Sequence, residues 1–65
     1  MRFRDLRLTI DEDTMVLLKN EAGSPLGLCN AARIPKRYDG CIVKIVSVQF
    51  MPGLGSRPVL MIIIG

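Results

Sequence analysis

The residues of this chain best equipped for chemistry fall in three short stretches. Arg33, Lys36 and Arg37 crowd together beside Tyr38. Cations for phosphates and a ring for stacking are the minimum needed to contact a nucleic acid. Further on, Pro52-Gly53-Leu54-Gly55-Ser56-Arg57-Pro58 offers backbone N–H groups, a hydroxyl and a guanidinium to an anion. Asp11-Glu12-Asp13 places three carboxylates in a row, a weak cue for a divalent cation.

Each stretch also has a plainer reading. A phosphate loop needs Lys-Ser/Thr at fixed spacing and a following helix whose N-terminus faces the anion. Here Pro58 and an apolar run follow Arg57, which describes a hairpin loop. Leu54 at its tip suits an apolar pocket in a protein. A calcium loop would place further oxygen ligands and a distal Glu at set intervals after Asp11. None follows, so the acidic triplet reads as an exposed turn. The basic stretch lacks the aromatic strand motif of one common RNA-binding module and the GXXG clamp of another.

Catalysis has little to work with. The chain has no histidine, and no nucleophile stands beside an evident base. A domain of this length also has little volume for a substrate cleft. The sequence therefore points away from an enzyme and implies no cofactor. Two cysteines, Cys29 and Cys41, with no histidine do not complete a four-ligand zinc site. They read as small reduced hydrophobes in a chain whose first residues, MRFRDLRL, lack the apolar segment of a secretory signal. No apolar run reaches the ~18–20 residues that span a bilayer. The expected location is the cytoplasm, or a host's cytoplasm if the chain is viral.

The elements that must position these residues are strands. Cys41 to Phe50 and Val59 to Ile64 are apolar runs, the first rich in β-branched residues. Together they predict a β-hairpin supplying most of the core, with Phe50 inside it. The apolar phase slips at Ile45-Val46, which predicts a bulge or bend there. Upstream, Thr14–Lys19 and Pro25–Cys29 read as a second hairpin turning at Asn20–Ser24, with Gly23 at positive φ. Leu6, Leu8 and Ile10 alternate, so Phe3 to Ile10 reads as a further strand. Asn30 is placed to cap one helical turn over Ala31–Arg33, and Pro35 ends it.

The expectation is thus one small all-β domain over residues 1–65. It is barrel-like or a curled antiparallel meander, with about five strands and one short helical turn near Asn30–Arg33.

Net charge is +3 and uneven. Residues 1–21 carry −1 and residues 22–65 carry +4, which permits an anionic partner without demanding one. The last strand carries no polar side chain from Val59 to Ile64, and one helical turn is poor cover for its second face. A single core of this size contributes only about 3–5 kcal/mol net, so a wet apolar face is costly. The sequence favours a non-enzymatic binding module: an adaptor, inhibitor or structural component, of a virus or mobile element by its size. It would meet a second copy or a partner protein through Leu54, Val59, Met61 and Ile63. The alternative is a small basic nucleic-acid-binding barrel using Arg33, Lys36, Arg37, Tyr38 and Arg57, with Lys44 alongside.

Overall fold

The computed structural model describes residues 1–50 and 57–65. Its elements run α1 (Phe3–Arg7), β1 (Met15–Asn20), β2 (Pro25–Asn30), the single-turn 3₁₀ helices η1 (Ala31–Arg33) and η2 (Lys36–Tyr38), β3 (Val43–Phe50) and β4 (Pro58–Ile64). The strands form one sheet in the order β2-β1-β4-β3. The β1–β2 and β3–β4 pairs are antiparallel hairpins, and the central β1–β4 pair is parallel.

The β1–β2 hairpin follows from local chemistry. At the β1–β2 turn Gly23 takes φ 86° and its N–H donates to the Asn20 carbonyl. Asn20 Oδ1 accepts from the Ser24 N–H at 2.9 Å, so the asparagine stands in for a backbone acceptor. In β3 the expected bulge is present, but it lies between Val43 and Ile45 rather than at Ile45-Val46. Lys44 is the extra residue there. The polar residue is the one that drops out of the ladder, because it has no apolar face to keep in register.

Three expectations are corrected. The first strand is a helix: Phe3 is buried and Leu6, Arg7 and Ile10 half-buried, the i, i+3, i+4, i+7 spacing of α1 and its exit, while Leu8 is left 79% exposed. Strand alternation would have put Leu8 inside with Leu6. The sheet therefore has four strands, not five. It is also mixed and open, neither an antiparallel meander nor a barrel, because β2 and β3 are not paired with each other. The Ala31–Arg33 turn forms as expected with Asn30 at its N-cap, although the Asn30 side chain makes no capping bond. Instead the Ala31 N–H donates to the Thr14 carbonyl at 2.9 Å, which ties the turn to the start of β1. A second single turn, η2, follows Pro35.

One face of the sheet carries the core. Val16 and Leu18 of β1 pair with Leu60 and Ile62 of β4, and Phe3, Ala31, Ile34 and Ile64 join them in a buried cluster. The short helices lie over this face. The other face, formed by Leu28, Leu17, Met61 and Ser47 in one row and Lys19, Ile63 and Ile45 in the next, follows from the same registers. Central placement of β4 gives Val59 to Ile64 a strand on each side, which suits a run that is apolar throughout.

Candidate functional site

Arg7 holds the loop that carries the basic residues. Its Nη2 donates to the Ile34 carbonyl at 2.7 Å and to the Pro35 carbonyl at 3.3 Å. The guanidinium sits 5.0 Å over the Phe3 ring and 3.4 Å from Asp39 Oδ1. That last contact is Coulombic only, since Asp39 Oδ1 is buried without a hydrogen bond. The Arg4 N–H also donates to the Asp39 carbonyl at 3.1 Å, so α1 clamps both ends of the Ile34–Asp39 segment. Sequence reasoning missed this role because an arginine among leucines reads as the solvent face of a strand.

On that clamped loop Arg33, Lys36 and Arg37 are exposed, and Tyr38 is half-buried against the core. Arg37 lies 5.0 Å over the Tyr38 ring and its Nη2 donates to the Tyr38 hydroxyl at 3.1 Å. One ring face is thereby stacked within the chain itself. Lys36 borders a hollow with Arg7 and Glu12. Arg57 borders a different hollow, at the start of β4, with Asp11 and Asp13. The acidic turn thus lies between the two groups of cations and dilutes both. Asp11 Oδ1 accepts from the Asp13 N–H at 3.3 Å, the geometry of a turn. Lys44 reaches Glu21 at 3.4 Å. Cys29 and Cys41 are unbonded and half-buried.

Of the apolar candidates, Val59 is fully buried, while Met61 and Ile63 are half-buried on the face away from the short helices. Leu54 and the rest of the glycine-rich loop before Arg57 lie outside the described residues. Gln49 Nε2 donates to Met61 Sδ at 3.3 Å on that same face.

A row of uncovered apolar side chains sits elsewhere, on β3. Val46, Val48 and Phe50 are 44%, 62% and 72% exposed, and Ile45 is 51% exposed. Placing Phe50 in the core is therefore corrected. Val46 pairs with Ile62, Val48 with Leu60 and Phe50 with Pro58, so these side chains share the core face. They are bare because the buried cluster and its packed neighbours take in Cys41 and Val43 but nothing further along β3. No helix of the described residues is long and apolar enough to cross a membrane.

The outer edge of β3 is partly occupied. The Phe3 N–H donates to the Cys41 carbonyl and the Val43 N–H to the Met1 carbonyl, both at 2.8 Å, around an antiparallel bridge between Arg2 and Ile42. The N-terminal arm thus pairs with the edge as far as Val43. Beyond it, the direction of each backbone group can be worked out. Ile42 and Gly65 exchange both of their bonds, so Gly65 faces β3. Alternation along β4 turns Ile63, Met61 and Val59 the same way, toward Ile45, Ser47 and Gln49. The N–H and C=O groups of Val46, Val48 and Phe50 are left pointing outward.

Among the described residues, the edge of β3 beyond Val43 is therefore unpaired, with exposed apolar side chains on it and beside it. Comparison with protein-family models, curated proteins and solved structures finds no match for the chain.

Proposed function

We infer that this chain is a non-enzymatic binding module that acts through protein–protein contacts and self-associates, serving as an adaptor, inhibitor or structural component. Its contact surface is the β3 edge with the adjoining Ile45, Met61 and Ile63. The observation that supports this reading is the row Val46, Val48 and Phe50, bare on the same face that buries Leu18 and Ile62 a strand or two away. Apolar side chains of this size left wet cost a small domain stability that it can hardly spare, and a polypeptide partner recovers it. The working location is the cytoplasm, or a host's.

The test is the mass of the pure protein by light scattering at tens of micromolar, repeated in high salt. An assembly built on these side chains survives the salt, whereas one held by the cationic loop on co-purified nucleic acid falls apart steeply. A clean monomer in both conditions refutes self-association.

A further inference from the structure

We propose that the occupant of the β3 edge is the β3 edge of a second copy, paired antiparallel about a twofold axis at Ser47 to give one continuous eight-stranded sheet. The proposal rests on the protein-contact reading above and commits it to a partner, a register and a set of hydrogen bonds.

Three observations select a second copy. The first is the free length of the edge. The N-terminal arm ends its pairing at Val43, and among the described residues no other strand lies along Lys44 to Phe50, which is the stretch open to an incoming strand. Centring the axis on Ser47 uses that whole stretch on both copies. Val46 then faces the partner's Val48, and Lys44 faces the partner's Phe50. Because Val46, Val48 and Phe50 carry the outward backbone groups, the two Val46–Val48 pairs exchange both bonds, and the Phe50 N–H points toward the partner's bulged Lys44. The Ser47 pair at the axis is a non-hydrogen-bonded one, with Cα atoms about 4.5 Å apart.

The second is charge. Lys44 is the only ionisable residue in β3. The twofold axis sends the two lysines to opposite ends of the ribbon, roughly 20 Å apart at the usual strand rise. No like charges face each other, and the edge lacks the central charges or proline that keep natural edges apart. The other edge is protected: β2 begins at Pro25, contains Gly27 and shifts register against β1 between Leu18 and Lys19.

The third is Ser47 itself. Its Oγ is buried with no hydrogen-bond partner among the described residues. Buried hydroxyls are nearly always satisfied. At the axis a single χ1 rotation brings each Ser47 hydroxyl toward its counterpart, and a serine is both donor and acceptor. An isologous contact is the one arrangement that meets this residue with a copy of itself. The area removed from water is on the order of 1,000 Å² over both copies, the low end of specific interfaces, so the dimer should be micromolar rather than nanomolar.

Amide hydrogen exchange on the unmodified protein tests this directly, read beside its mass in solution. The outward amides of Val46, Val48 and Phe50 should exchange about tenfold or more slowly at millimolar than at micromolar concentration, tracking the mass. Those of Ile45, Ser47 and Gln49, bonded to β4, should be protected at both. In parallel, Val48→Pro removes only an outward N–H and should give a folded monomer, while Ser47→Pro removes a bond to β4 and should unfold the chain.

An oligomer whose Val46, Val48 and Phe50 amides exchange freely overturns the edge pairing, yet leaves the protein-contact reading standing on the Met61–Ile63 face. A folded Val48→Pro dimer does the same. A monomer at millimolar concentration overturns edge pairing and self-association together, and protected outward amides at monomer mass mean that some other strand holds the edge. If Val48→Pro fails to fold, the exchange pattern of the unmodified protein decides.

Discussion

Replacing Arg7 by alanine should take away most of the stability of this domain. Its Nη2 bond to the Ile34 carbonyl is charge-assisted, short at 2.7 Å and partly buried. Hydrogen bonds of that kind contribute about 1.5–3 kcal/mol. The stacking on Phe3 at 5.0 Å adds roughly 0.5–1 kcal/mol. Against this, Arg7 Nε is buried without an acceptor, so the arginine is not fully repaid for leaving water. Asp39 contributes little, its contact lacking hydrogen-bond geometry. The balance is a loss of about 2–3 kcal/mol, against a net ~3–5 kcal/mol for a single small core. Urea unfolding followed by far-UV circular dichroism measures it, with the slope checking that the denatured state is unchanged. Arg7→Lys keeps the charge but cannot span both carbonyls and lie flat on the ring, so it should recover less than half of the loss. In a double-mutant cycle with Asp39→Ala the coupling should stay under about 1 kcal/mol. If Arg7→Ala shifts stability by less than about 0.5 kcal/mol, the clamp between α1 and the η1–η2 loop is not what the geometry says.

Three further substitutions check other parts of the fold. Leu8→Glu should leave thermal stability within the ±0.5 kcal/mol typical of surface changes. Leu6→Glu, placing a charge against the core, should cost several kcal/mol; equal effects at the two sites would restore the strand that alternation suggests. Gly23→Ala forces a Cβ into φ 86° and should cost about 1–2 kcal/mol by urea titration, although nothing stands within 4 Å of the added atom. A neutral result there would mean that the turn rearranges.

The parts of the fold legible in the sequence are those encoded by neighbours. Asn20, Gly23 and Ser24 specify the β1–β2 turn by their own hydrogen bonds and backbone freedom, and the two apolar runs specify β3 and β4. The first ten residues were ambiguous for a definite reason. Leu6, Leu8 and Ile10 satisfy period two, while Phe3, Leu6, Arg7 and Ile10 satisfy the helical period only if an arginine is admitted to the buried side. Arg7 earns that place through the carbonyls of Ile34 and Pro35, a contact between residues 27 and 28 positions apart that no local pattern announces. The parallel β1–β4 pairing joins residues more than forty positions apart, and it decides which strand of the second hairpin is central. With the hairpin read alone, β4 looked like the strand with a face too many. Central β4 is covered on both flanks, and the surplus passes to β3.

The open edge and the helical N-terminus have one cause. Had residues 3–10 formed a strand, a fifth member could have lain beside β3 and curled the sheet toward closure. With Phe3–Arg7 in α1 instead, Phe3 packs in the buried cluster with Ile34, and the described sheet keeps four strands and two edges. Among the described residues only Met1–Phe3, the arm that enters α1, pairs with this edge, at Cys41–Val43, before α1 carries the chain away. The edge thus accepts an antiparallel strand wherever this chain can supply one. From Lys44 onward the described residues of a single copy supply none, and the side chains left there are those of a core: valine, phenylalanine and a serine whose hydroxyl lacks a partner. On the pairing proposed above, a strand of the same sequence in the opposite direction would meet the apolar row, the outward backbone groups and the Ser47 hydroxyl together.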